Sequence, residues 1–141
     1  MSTLLNLTKG MEVPINIMFN IFDSYILPIL NYCCEVIGFY KAENMERVQR
    51  KFCKWLLNVK ISANSLSLYS ELGRYPLFIE RNIRILKYFL KLYGAKQHNC
   101  ILNTIIIYQR EKIEISEAKN WSSKVRELLQ NAGFHEVWLY L

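Results

Sequence analysis

Prolines and glycines are so scarce in this chain, three and five among 141 residues, that little in the sequence interrupts an α-helix. A first short helix is predicted from Thr3 to Lys9, closed by Gly10. A longer one starts near Pro14, a favourable first-turn position, and runs towards Gly38, with Pro28 expected to kink or split it. From Glu43 to Val59 the residues Val48, Phe52, Trp55, Leu56 and Val59 recur at the spacing of one apolar helical face. Asn64 or Ser65 caps a short helix through Leu72, and Gly73 stops it. Pro76 opens a strongly helical segment to Tyr93, closed by Gly94. A further helix covers His98 to Arg110, although the β-branched run Thr104-Ile105-Ile106-Ile107-Tyr108 keeps a strand open as the alternative. Asn120 caps a helix from Trp121 to Asn131 that ends at Gly133, and Phe134 to Leu141 adds one helical turn or two. The expected fold class is all-α, an irregular bundle of about six to eight helices in a single domain spanning residues 1–141. No internal repeat or low-complexity tract is visible.

Hydrophobic residues make up 52% of the chain, enough apolar surface to offset chain entropy and exclude disorder. A compact fold of this size buries roughly two-thirds of its unfolded surface. The apolar surplus fits either a dense helical core or a face that packs on another domain. Cys33, Cys34, Cys53 and Cys100 form no CxxC pair and no disulfide ladder, which points to reduced thiols and an intracellular setting, nuclear or cytoplasmic. Lys9 and Glu12 stand where a signal peptide would need an apolar core. The apolar run from Tyr25 to Cys34 is interrupted by Pro28 and Asn31 and is too short to span a bilayer, so no membrane partner is expected.

The formal charge of +6 is unevenly placed. Between Lys41 and Lys91 eleven Lys and Arg stand against four acids, an excess of seven, so the rest of the chain is at minus one. Two rows account for most of it. Arg47, Arg50, Lys51 and Lys54 share one face of their helix, opposite Phe52, Leu56 and Val59. Arg81, Arg84, Lys87 and Lys91 form a second row on the Pro76 helix. Such rows of long cations suit the phosphate backbone of RNA or DNA, giving affinity without sequence reading. The plainer alternative is a pair of solvated faces, with Glu46–Arg50 and Glu80–Arg84 as ordinary i, i+4 ion pairs.

Other chemistry finds less support. His98 and Cys100 form an HxC pair with only Cys33, Cys34, Cys53 and His135 to add from far away, unlike the two close ligand pairs of structural zinc. No cysteine has a Gly-rich oxyanion turn or an orienting third group beside it. Asp23 is the only aspartate, whereas a metal-dependent polymerase or nuclease needs at least two placed carboxylates. No catalytic residue, metal or cofactor is therefore expected. Trp55, Trp121 and Trp138 could stack bases of single-stranded nucleic acid, but Trp55 falls on an apolar face and core packing is the commoner role there.

The segment Ile21-Phe22-Asp23-Ser24-Tyr25-Ile26-Leu27-Pro28-Ile29-Leu30-Asn31-Tyr32-Cys33-Cys34-Glu35-Val36-Ile37-Gly38-Phe39 resembles a block that follows the palm in non-LTR (LINE-type, jockey-like) retrotransposon reverse transcriptases. The likeness continues through Arg47 to Lys54 and Tyr69 to Leu77, then through Trp121 to Val125 and Gly133 to Trp138, covering nearly the whole chain in order. Three positions depart from the family pattern. Cys33 and Asn58 stand where glycines are usual, and Ile37 where tryptophan is usual; they read as drift in a degenerate copy. The family's Tyr-x-Asp-Asp lies upstream and has no counterpart here. The resemblance implies a non-catalytic thumb-like and post-thumb fragment of an RNA-directed DNA polymerase. Its expected partners are the template and primer backbone and the missing palm domain. The rival reading is a helical protein-interaction module with no nucleic-acid role.

Overall fold

The computed structural model describes residues 13–40, 42–94, 101–116 and 119–140, and every regular element among them is helical. The predicted Thr3 to Lys9 helix and the start of the His98 helix lie outside the described residues. Helix α1 (Ile15–Ile21) runs through a π-helical turn (Phe22–Ile26) into α2 (Leu27–Leu30). Pro28 lacks the N–H that would reach back to Ser24, and its ring would crowd that carbonyl. The backbone widens just before it, so that the Leu27 N–H bonds five residues back to Phe22. The rod is thus adjusted at the proline rather than split there. The split falls at residues 31–33, where Cys33 adopts a left-handed φ of 54° before α3 (Cys34–Ile37).

Helix α4 (Glu43–Leu56) ends three residues before the expected Val59. Asn58 takes a left-handed φ of 52°, its N–H bonds to Trp55 O at 3.0 Å, and the Val59 N–H bonds to Lys54 O at 3.1 Å. This is a Schellman closure with asparagine in the position usually held by glycine. The same closure ends α5 (Ser65–Glu71) at Gly73 and α8 (Trp121–Asn131) at Gly133, where φ is 60° and 79°. The N-termini follow local chemistry too. The Asn64 side chain accepts from Leu66 N, and Asn120 and Ser123 form a reciprocal capping box. Between these lie the 18-residue α6 (Leu77–Gly94) and α7 (Ile101–Ser116), with α9 (His135–Tyr140) last. The β-branched run is helical in α7. Asn103, Ile106 and Ile113 fall on one helical face and bury it, so tertiary packing outweighs strand propensity.

The helices enclose two apolar cores. Met18, Phe22, Phe52, Cys53 and Tyr69 form the first, from α1, the π-turn, α4 and α5. Its centre is the Phe22–Phe52 stack, with ring centroids 4.2 Å apart. The second draws Ile85 and Phe89 from α6, Ile106 and Ile113 from α7, Val125 and Leu129 from α8, and Trp138 from α9. There Phe89 and Trp138 stack at 5.8 Å, a contact worth about 0.5–1.5 kcal/mol beyond its buried area. Trp55 departs from expectation. It touches Phe52 at 6.1 Å but remains 37% exposed, at the rim of the first core.

A polar seam joins α6 to the first core. Glu46 of α4 is only 7% exposed and accepts from the amides of Leu77 (3.2 Å) and Phe78 (2.7 Å), so one helix caps the N-terminus of another. The Tyr69 hydroxyl lies 3.5 Å from both Glu46 and Gln49, and the Gln49 amide donates to Tyr75 O at 3.1 Å. Burial, followed by the charge of Glu46, pushes the Tyr69 hydroxyl pKa far above its usual value.

Candidate nucleic-acid interface

Helix α4 turns Glu46, Gln49, Phe52 and Cys53 inward, which leaves its four cations on the opposite side. They differ in availability. Arg50 is ion-paired to Glu43, and that hydrogen bond raises the guanidinium pKa. The Lys54 ammonium donates to Ile61 O and draws the following loop back towards the helix. Arg47 and Lys51 are exposed and form no ion pair among the described residues.

The second row is corrected at Arg81. Residues 77, 81, 85 and 89 lie one above another on α6, and Leu77, Ile85 and Phe89 make that ridge the buried one. Arg81 is carried inward with them and is 6% exposed, its Nη1 donating to Tyr40 O at 3.4 Å. It is no part of a surface row. Arg84 stays half-buried, with Nε and Nη2 donating to Glu80 at 3.1 and 2.8 Å, and this pairing raises its pKa. Asn31 Nδ2 donates to the same carboxylate at 3.3 Å. Lys87 and Lys91 are exposed and form no ion pair among the described residues. Of the eight proposed backbone contacts, then, Arg47, Lys51, Lys87 and Lys91 present full charge to solvent.

Asp23, the sole aspartate, is committed elsewhere. Both its oxygens accept from Arg74, at 2.7 and 2.5 Å, and the guanidinium lies 4.2 Å from the centre of the Phe19 ring. Among the described residues no three His, Cys, Asp or Glu side chains gather into a cation site, and no helix is long and apolar enough to cross a membrane. Cys33 is an exposed free thiol, whereas Cys34 and Cys53 are buried, and burial pushes both thiol pKa values up. Cys100 and the HxC pair lie outside the described residues.

One feature has no signal in the sequence, and another carries a signal that points to the core instead. An apolar cleft of about 580 Å³ lies between α6 and the end of α8, lined by Phe39, Phe78, Ile83, Leu86, Leu128 and Phe134 among others. Its residues come from three distant stretches, so no local pattern marks it. The other is exposed Trp55. It stands four residues after Lys51 and eight after Arg47, on one ridge of α4, and that spacing was visible in the sequence. No family model, no curated protein and no solved structure matches the chain.

Proposed function

We propose that this chain is a non-catalytic helical segment of a retrotransposon reverse transcriptase, one that supports the template and primer backbone behind a palm domain. The observation that carries the reading is backbone conformation. The two positions where the sequence departs from the family's glycines, Cys33 and Asn58, are the two non-glycine residues with positive φ among those described. A fold whose backbone asks for glycine where a family has glycine is what a drifted member of that family would retain. The resembling strings are also joined to one another. Asp23 of the first block pairs with Arg74 of the third, and Trp121 Nε1 donates to Glu35 O at 3.2 Å.

In this reading Arg47, Lys51, Lys87 and Lys91 contact phosphates, with Arg50, Lys54 and Arg84 contributing partly satisfied charge. The test is binding to random-sequence duplex as a function of salt. Each phosphate neutralised adds about 0.9 to the slope of log affinity against log salt, so charge reversal at Lys87 and Lys91 together lowers that slope by about 1.8. Binding and slope unchanged by reversal at both pairs, Arg47/Lys51 and Lys87/Lys91, would refute it.

The interaction-module reading draws on a different observation. Tyr25, Ile29, Tyr32, Val36 and Ile37 all stand exposed along the first resembling block. Concentration-dependent self-association with no affinity for RNA or DNA would favour it.

A further inference from the structure

We infer that Trp55 is a base-stacking platform that directs the Arg47–Lys51 ridge of α4 to unpaired, single-stranded RNA or DNA. The inference rests on the nucleic-acid reading above and adds the form of the strand.

Three observations meet at this residue. Trp55 is the most exposed of the three tryptophans: Trp138 is buried in the second core, and Trp121 is half-buried with its indole N–H held by Glu35 O. Among the described residues no hydrogen bond engages the Trp55 indole, and its one ring neighbour, Phe52, lies tilted at 35° with centroids 6.1 Å apart. Finally, Arg47, Lys51 and Trp55 succeed one another at i, i+4 and i+8, so two exposed cations lead along one ridge to a ring that is 37% exposed.

The chemistry follows from that order. Successive turns of an α-helix lie about 5.4 Å apart, close to the spacing of phosphates along an extended single strand. Cations on two turns hold the backbone while the next turn offers a ring to a base. In a continuous duplex each base already has stacked neighbours on both faces, and the indole has nothing to receive. Val59 and Ile61, exposed in the loop that follows α4, add apolar surface near this end of the helix, because the Lys54–Ile61 bond draws that loop back to it.

The test uses the full chain and three fluorescently labelled probes: a single strand of mixed sequence, its duplex closed at both ends by hairpins, and the same single strand with abasic sites. Trp55→Ala is expected to weaken single-strand binding roughly 5- to 100-fold while leaving duplex affinity unchanged. Wild-type protein is expected to bind the abasic strand as weakly as Trp55→Ala binds the intact one, a comparison that leaves the protein unaltered. Single strands should quench tryptophan emission in the wild type and not in Trp55→Phe. Arg47→Glu with Lys51→Glu should weaken both intact probes and lower the single-strand salt slope by about 1.4. If wild-type protein binds abasic and intact strands equally, or Trp55→Ala weakens duplex and single strand alike, stacking is wrong while backbone binding stands. If no probe binds at any salt, both readings fall. If Trp55→Ala abolishes self-association and spares single-strand affinity, the ring is a protein contact and the inference fails.

Discussion

Replacing Cys33 by glycine is expected to stabilise this protein, against the usual direction for a glycine substitution. At φ 54° and ψ 17° the Cβ of Cys33 crowds the backbone, a conformation costing an L-residue about 1–2 kcal/mol. Glycine removes that cost and adds about 0.5–1 kcal/mol of extra chain entropy in the unfolded state. The thiol is exposed, so little burial is lost with it. The balance favours Cys33→Gly by roughly 0.5–1 kcal/mol, which for a domain of this size raises Tm by about 2–4 °C. Urea denaturation at constant slope should show the midpoint rising by a few tenths of a molar, about 0.3–0.7 M. Cys33→Ala is the control, because it removes the sulfur and keeps the Cβ; it should melt with the wild type. Asn58→Gly should gain only about 0.3 kcal/mol, since asparagine tolerates the left-handed region. A Cys33→Gly protein no more stable than Cys33→Ala would refute the reasoning and weaken the family reading with it.

Glu46→Ala should cost about 2–4 kcal/mol in urea unfolding, because it strips a buried cap from two α6 amides at once; Glu46→Gln keeps an acceptor and should cost about half that. A loss under about 1 kcal/mol for the alanine variant would mean that water replaces the carboxylate. Arg81→Met should leave duplex binding unchanged and stability unchanged or raised by about 1 kcal/mol, since the guanidinium is buried with Nε unsatisfied among the described residues. Weakened binding in that variant would return Arg81 to the interface. In a Cys100→Ser background, one thiol per chain, Cys33, should react with a disulfide reagent at pH 8, and fast labelling of Cys34 or Cys53 would contradict their burial. Tyr69 holds its proton more tightly when folded, so its contribution is complete below pH of about 10 and falls as pH rises above that. Cys34 and Cys53, also raised, lose theirs from about pH 9 upwards. Thermal melts should therefore fall in alkali, and less steeply in Tyr69→Phe.

What the sequence made legible was local. Asn64, Asn120, Gly73 and Gly133 act within a few residues of themselves, and all four do as expected. At Pro28 the expected interruption takes the form of a π-turn, which absorbs the missing donor, and the full break falls a few residues later at 31–33. Arg81 misled because residue type was read before its place on the 77, 81, 85, 89 ridge, although that ridge is visible at spacing four. Trp55 misled in the opposite sense, as an aromatic on an apolar face that stays at the rim. Glu46 is spaced to pair with Arg50, yet its partners are amides 31 and 32 residues later, brought close by tertiary packing. The left-handed turn at Cys33 has no signal in its residue type. Only the resemblance marked that position.

The polar seam has a consequence for how the molecule comes apart. Its first core contains no residue of α6, and its second contains none of α4, so the two basic helices belong to separate hydrophobic units. What links them is the packing of α3 and α4 on α6 together with a polar set: the Glu46 carboxylate and the two amides it caps, Gln49 on Tyr75 O, and Asn31 on Glu80. Hydrogen exchange should accordingly resolve two cooperative units with distinct opening energies, and Glu46→Gln should widen the gap between them without altering exchange deep inside either. A ligand that bridges α4 and α6 would do the reverse, making both units open as one.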